Sequence, residues 1–300
     1  MDSVRASIHG NKPDVLPYTG KGVGIAVLDT GIFPHIDFLL PINRIAAFRD
    51  FVYRNPGPYD DHGHGTHICG ICGGSGAASL GRYRGIAPKS HLIVGKILDR
   101  RGNGNLPDIL EGVRWVIATM SLYHTRILNI SAGTFSPRKA DSVLVQAVNE
   151  AWEAGLVVVA AAGNNGPAPM SVTAPGTSQK IITVGSSDDQ KPVYIHGEKI
   201  SGFSGRGPTS EQVSKPDVTA PGCYIMSCNN RLFNGRYTYT PRSGTSMSTA
   251  IVSGCIALLL EKYPSMTNND VKERLKDGCQ DLGLDKNHQG FGLIDLARFL

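Results

Sequence analysis

The stretch GVGIAVLDT, residues 22–30, is apolar and largely β-branched without alternation until it ends on Asp29 and Thr30. An unbroken apolar run of this length suits a strand covered on both faces, as in a parallel sheet. Four more such runs follow: HLIVGKIL from His91, RILNISAG from Arg126, LVVVAAAG from Leu156 and IITVGSS from Ile181. Between them lie helix-sized segments, LPDILEGVRWVIATMSLYH and PRKADSVLVQAVNEAWEAG. The second has Pro137 near its start and Gly155 at its end, the usual capping asymmetry. Strand and helix alternate, which predicts βαβ units with helices on both faces: a single-domain, three-layer α/β/α sandwich with a mostly parallel central sheet. Further on, SGTSMSTAIVSGCIALLLEKYP reads as a buried helix stopped at Pro264, with a shorter helix around Asn269 to Asp277.

The 300 residues are 41% hydrophobic and 18% charged, enough to bury a large core. The formal net charge of +5 is scattered, and its tightest pairs, Arg82 with Arg84 and Arg100 with Arg101, lie in Gly-rich loops without interleaved aromatics. That pattern argues against nucleic acid as a partner. No apolar run approaches the ~20 residues a membrane-spanning helix needs, so no membrane partner is expected. Six cysteines are too sparse for a disulfide framework, and the lone C-x-x-C of Cys69 and Cys72 has no second pair to complete a zinc site. Residues 1–20 carry charges and no apolar core of a secretory signal. The expectation is a cytoplasmic protein, with the mature part of a longer precursor as the alternative. Residues 1–20 read as an N-terminal extension and 21–300 as the main domain; the oligomeric state is not readable.

In open α/β sheets, ligands bind beyond the carboxyl ends of the strands, so polar residues there come first. Asp29 closes the first strand, either as a turn carboxylate or as a functional acid. DDHGHGTHICG, residues 60–70, places His62, His64 and His67 near one another beside Asp60 and Asp61. The histidines lack the four-residue spacing and glutamate of a zinc-protease helix, but a metal cluster stays open. A histidine at a helix N-terminus, as His64 would be, tends towards the neutral ring that accepts a proton. In RSGTSMSTA, Ser243, Ser246 and Ser248 compete as helix cap or as nucleophile near helix N-terminal amides. Asn164, after VVVAAAG, is either a left-handed turn residue or an amide donor to an oxyanion.

VLDTGI, HGTHICG, AAAGNNG and SGTSMSTA, in this order, resemble the Asp, His, Asn and Ser motifs of the subtilisin-like serine peptidases. KILDRRGNG, LNISAG, FSGRGP and KPDVTAPG are similar to further segments of that family, so the resemblance covers nearly the whole chain. It implies a subtilisin-like fold and a serine endopeptidase acting on polypeptide substrates through an acyl-enzyme. Asp29 would orient the imidazole, His64 would be general base and then acid, Ser246 the nucleophile, and Asn164 an oxyanion donor. Gly102, Asn103 and Gly104, with Ser131, Ala132 and Gly133, would form the two backbone edges that hold an extended peptide. A catalytically silent binding or regulatory subtilase and a metal-dependent hydrolase are the alternatives.

No cofactor is expected to be required. Family members often bind calcium, and Asp37 stands where one ligand would be, yet GGSGAASLGRYRG offers no Asp or Asn to complete six or more oxygens. The sequence begins about as far before Asp29 as a mature family member would, so the expectation is either that folding needs no propeptide or that a precursor region is absent from this sequence; the lack of a signal peptide and the cysteines lead to the expectation of an intracellular bacterial type. Asn165 is expected near the specificity pocket, where no acid demands Lys or Arg, so a broad or hydrophobic preference is expected. Cys69 and Cys255 are expected to pack inertly, with a redox role as the alternative. His67 is expected to pack or bond within its helix, and His62 to line the cleft.

Overall fold

The computed structural model describes residues 1–133, 139–195 and 197–300. The five apolar runs become β1 (Gly24–Asp29), β3 (His91–Lys96), β4 (Thr125–Ile130), β5 (Val157–Ala161) and β6 (Ile182–Ser186), with β2 (Ile45–Asp50) between the first two. Then come the hairpin of β7 (Val193–Ile195) and β8 (Glu198–Ile200), β9 (Val218–Ala220), the hairpin of β10 (Ile225–Phe233) and β11 (Arg236–Arg242), and the short β12 (Cys279–Gln280) and β13 (Leu293–Ile294). The central sheet runs β12-β13-β9-β6-β5-β4-β1-β3-β2, parallel throughout except for β12. From β1 the chain moves to one side, through β2 and β3, and from β4 to the other. The carboxyl ends of β1 and β4 therefore flank the crevice where such sheets bind ligands.

The helices are α1 (Asp2–Ser7), α2 (Ile36–Leu39), α3 (His64–Gly73), α4 (Leu106–Thr119), α5 (Lys139–Glu153), α6 (Thr245–Lys262), α7 (Asn268–Asp277), α8 (Lys286–Gln289) and α9 (Leu296–Phe299). Helices α3 and α6 pack on each other and on the sheet, while α4 and α5 pair and cover its other face. A helix apolar or small all round is a buried one, and α6 is buried from Thr245 to Leu260. It stops at Tyr263, one residue before Pro264. Helix α4 opens on Asn105, whose side chain accepts from the Asp108 N–H, and it ends at Thr119, short of the segment the sequence suggests. Helix α3 starts at His64, with Gly63 as its N-cap at φ 92°. Pro137, the expected opening of α5, lies outside the described residues.

Residues 1–20 share the body's core: Met1, Val4, Ile8 and Val15 are buried in the same cluster as the sheet. The Arg5 guanidinium donates to the carbonyls of Gly85 and Ile86 at 3.0 and 3.3 Å, and Ile8 O accepts the Leu296 N–H. Among the described residues, no helix is long and apolar enough to cross a membrane.

Candidate active site

Asp29 ends β1 with no exposed surface, so its carboxylate must find donors inside the protein. One is the Thr30 N–H at 2.7 Å; the other is His64, whose Nδ1 lies 2.8 and 2.9 Å from the two carboxylate oxygens. A carboxylate only accepts, so Nδ1 carries a proton, and in the singly protonated ring Nε2 is left as an acceptor. The His64 side chain is 18% exposed, so its ring edge reaches the cleft while Asp29 stays dry.

The pairing depends on how closely α3 approaches β1. At Gly65 a Cβ would stand 2.2 Å from Gly31 O and 3.2 Å from Asp29 Oδ1, so no larger residue fits the approach as it stands. The Gly65 N–H donates to Thr30 Oγ1 at 2.9 Å. Asp60 fastens the same corner. Its Oδ1 accepts from Thr30 Oγ1 and from the N–H groups of His62 and Gly63, and its Oδ2 from the N–H and hydroxyl of Thr66. Burial pushes the Asp60 carboxyl up, but these donors, the Thr66 hydroxyl foremost, hold it below the usual carboxylate range. Lys96, the register partner of Asp29 at the end of β3, donates to Thr30 O, Leu98 O and Asp61 Oδ1. The spacing of DTG and HGTH hints at this corner; Lys96 sits inside an apolar strand and was not expected there.

The three histidines do not converge on one point. His64 faces Asp29, whereas His67 is fully buried and its Nε2 lies 3.0 Å from the carbonyls of Ile225 and Thr240, partners on the β10–β11 hairpin rather than within its own helix. Burial lowers its pKa to about 3, so it is a neutral donor. The His62 ring stands 6.3 Å from that of His64, and its Nε2 is the nearest atom to a Cβ placed on Gly102. Burial, then the charges of His64 and Arg242, lower its pKa.

Ser246 is the second residue of α6, 8% exposed, so it lies among the N–H groups that a helix leaves unpaired at its start. Gly244 caps the helix at φ 141°, a backbone that favours glycine, and a Cβ there would come 3.3 Å from Asn164 Nδ2. Asn164 Oδ1 accepts the Thr245 N–H at 3.0 Å and the Thr245 hydroxyl at 3.2 Å. The N–H can only donate, which fixes the amide orientation and leaves Nδ2 beside the helix start as a donor without a hydrogen-bond partner among the described residues. The left-handed turn belongs to Gly163, at φ 90°, rather than to Asn164. Of the competing serines, Ser243 Oγ accepts the Tyr224 N–H and Ser248 Oγ donates to Pro221 O. Ser246 Oγ donates to Ser131 O at 3.1 Å and, among the described residues, makes no hydrogen bond to His64.

The two expected peptide edges differ. At the first, Asp99 gathers the turn: its carboxylate accepts the N–H groups of Arg101 and Asn103, and its own N–H donates to Asn103 O. The backbone of Asn103 is thus used within the turn. At the second, Ser131 is buried, Ala132 half-buried and Gly133 exposed.

Asp37 is buried at the start of α2, and both of its oxygens are taken by protein donors. Gly76 and Ala78 N–H groups reach it at 3.1 and 3.0 Å, Tyr239 OH at 2.9 and 3.0 Å, and the Cys228 thiol at 3.6 Å. His35, Asp37 and Cys228 are the one group among the described residues with three metal-ligand atoms within 4.8 Å, but His35 Nδ1 already accepts the Asp37 N–H. All six cysteines are free and buried, and burial raises the pKa of every one of these thiols, Cys69 and Cys255 included.

Residues 20–292 match the profile of the Subtilase family, Peptidase_S8. The serine protease AprX of Bacillus subtilis is 43% identical over 293 residues, covering 92% of this chain and 66% of AprX. Subtilisin Savinase of Lederbergia lenta is 34% identical over 277 residues, covering 92% of this chain and 90% of Savinase. The structure of Sphericase superposes with a TM-score of 0.77 at 28% identity, covering 97% of this chain and 96% of that one. The chain therefore spans just under two thirds of AprX and nearly all of Savinase, and it belongs to the subtilase family of subtilisin-like serine peptidases.

Proposed function

We propose that the protein hydrolyses peptide bonds in extended polypeptide segments as a serine endopeptidase. The observation that carries this reading is the pair of contacts between the buried Asp29 carboxylate and His64 Nδ1 at the carboxyl end of β1, with Ser246 bonded to Ser131 just beyond the carboxyl end of β4 and Asn164 just beyond that of β5. His64 Nε2 takes the Ser246 proton as Oγ attacks the scissile carbonyl carbon. The carbonyl oxygen becomes an oxyanion facing Asn164 Nδ2 and the Ser246 N–H, donors that need little rearrangement when charge develops. His64 then gives its proton to the leaving amine as the C–N bond breaks, leaving an ester on Ser246. Water repeats the sequence and releases the acid. Asp29 keeps its negative charge throughout and steadies the imidazolium. Gly102 to Gly104 and Ser131 to Gly133 would hold the peptide by main-chain hydrogen bonds, and a broad or hydrophobic side-chain preference goes with the sequence segments at Asn165 and VTAPG, neither of which contains an acid.

Asp37 does not fit a calcium ion on this reading. Calcium takes six to eight oxygen ligands, whereas the loop after α3 turns the N–H groups of Gly76 and Ala78 towards the carboxylate, and Tyr239 adds a hydroxyl donor. Hydrogen bonds from the chain stand where a cation would, and no catalytic step is assigned to a metal. Hydrolysis of an unfolded polypeptide, abolished by a fluorophosphonate, supports the endopeptidase reading; folded protein inert to both substrate and reagent contradicts it and favours a silent subtilase.

A further inference from the structure

The Ser246 hydroxyl has one proton and two places to put it. Attack requires that proton on His64 Nε2, yet in the structure it goes to Ser131 O at 3.1 Å. That carbonyl belongs to the edge where an extended substrate would dock its main-chain N–H groups. A polar chain holds it there. Ser253 Oγ donates to Asn129 Oδ1 at 2.9 Å, Asn129 Nδ2 donates to Ser131 Oγ at 3.0 Å, and Ser131 Oγ donates to Ser246 O at 3.4 Å. Asn129 lies between the apolar Leu128 and Ile130 of β4, and Ser253 lies on α6 about two turns beyond Ser246; both have no exposed surface. A buried, satisfied network of this kind fixes one relative position of strand and helix.

We propose that substrate arms the nucleophile: a peptide N–H bonded to Ser131 O displaces the Ser246 hydroxyl, whose proton then turns to His64 Nε2. Asn129 and Ser253 are positioning residues that keep the Ser131 carbonyl where this exchange occurs. No covalent bond changes in the step; one hydrogen bond donor replaces another on the carbonyl, and the O–H rotates. The inference rests on the endopeptidase reading above.

Two measurements test it. The first uses the wild-type chain and two peptide p-nitroanilides that differ only in the amide preceding the scissile residue, N–H in one and an ester oxygen in the other, with release of nitroaniline as the readout. Arming predicts that the ester analogue loses about tenfold in kcat at saturation, the scale of one hydrogen bond. A rise in KM with kcat unchanged means that Ser131 O only binds, and overturns the proposal. The second compares Ser253→Ala with wild type. Loosening the Ser131 carbonyl should hold or raise, up to about threefold, the rate at which a small fluorophosphonate without a peptide N–H labels Ser246, while kcat/KM for the peptide falls about tenfold. A common fall in both rates signals general disorder and contradicts the proposal. If Ser253→Ala does not fold, the substrate pair still decides. Wild type that labels with neither reagent nor substrate defeats the endopeptidase reading itself, a different outcome from either of these.

Discussion

Replacing Gly65 by Ala sets two physical effects against each other. Alanine is the better helix residue by ~1 kcal/mol, so propensity alone predicts a more stable α3. The structure predicts the opposite. The added methyl would lie 2.2 Å from Gly31 O, about 1 Å inside ordinary contact, and the obstacle is backbone rather than a movable side-chain end. Helix α3 must therefore move off the end of β1 by a distance of that order, and His64 is its first residue. The contacts of 2.8 and 2.9 Å between His64 Nδ1 and Asp29 would lengthen or lose their alignment. A displacement of about 1 Å in a catalytic group costs roughly 100-fold in rate, and overpacking of this kind costs about 1–3 kcal/mol of stability. Steady-state hydrolysis of a chromogenic peptide should show the loss in kcat, and calorimetry a Tm lower by several degrees. Gly57→Ala is the control, since a Cβ there meets nothing within 4 Å. A Gly65→Ala protein that melts higher than wild type and keeps kcat within threefold refutes the reasoning.

Asn164→Ala should lower kcat by about 100- to 1000-fold with KM little changed, the range measured when the equivalent donor is removed from a related subtilisin, and a loss below threefold speaks against an oxyanion role. If calcium does not bind at Asp37, excess EDTA should leave Tm within about 1 °C of its value in millimolar calcium, because an ion that does not bind the native state cannot stabilise it; a rise of several degrees on adding calcium contradicts the reading of Asp37. Lys215 is buried against Asp217, and burial outweighs that partner, lowering its pKa from 10.5 to about 8. Between these values the unfolded chain holds the proton that the folded chain has lost, so this group adds stability as pH rises from about 8 to 10.5. Melting curves of wild type and Lys215→Met across that window should diverge in favour of wild type as pH rises, and parallel curves count against it.

The runs legible in the sequence were those buried along nearly their whole length. β1, β3, β4, β5 and β6 are covered on both faces, and their unbroken apolar stretches say so. β2 escaped because an edge strand, half-exposed along most of IAAFRD, carries no such signal. The β10–β11 hairpin did leave one, Asn234-Gly235 between two strand-like segments, a favoured two-residue turn. The three-residue β7 and β8 are too short to register. Asp29, His64, Asn164 and Ser246 are singled out by motifs, but what each touches is not legible there. The Asp29–His64 bond depends on how closely two elements approach at Gly65. The Ser246 contact is to a main-chain carbonyl, which no side-chain pattern announces. The suspected metal cluster at residues 60–67 dissolves for a similar reason: Asp60 spends both oxygens on Thr30, Thr66 and backbone N–H groups, while His67 turns to the hairpin.

In the proposed mechanism Ser246, with its proton taken by an Asp29-held His64, is the nucleophile. This role is tested most directly by treating wild type, His64→Ala and His62→Ala with a fluorophosphonate and locating the adduct by peptide mapping. An adduct on Ser246 is expected in wild type and in His62→Ala, with a loss of at least 100-fold in labelling rate in His64→Ala with the fold intact. An adduct on Ser243 or Ser248, or equal losses in the two histidine variants, would contradict it.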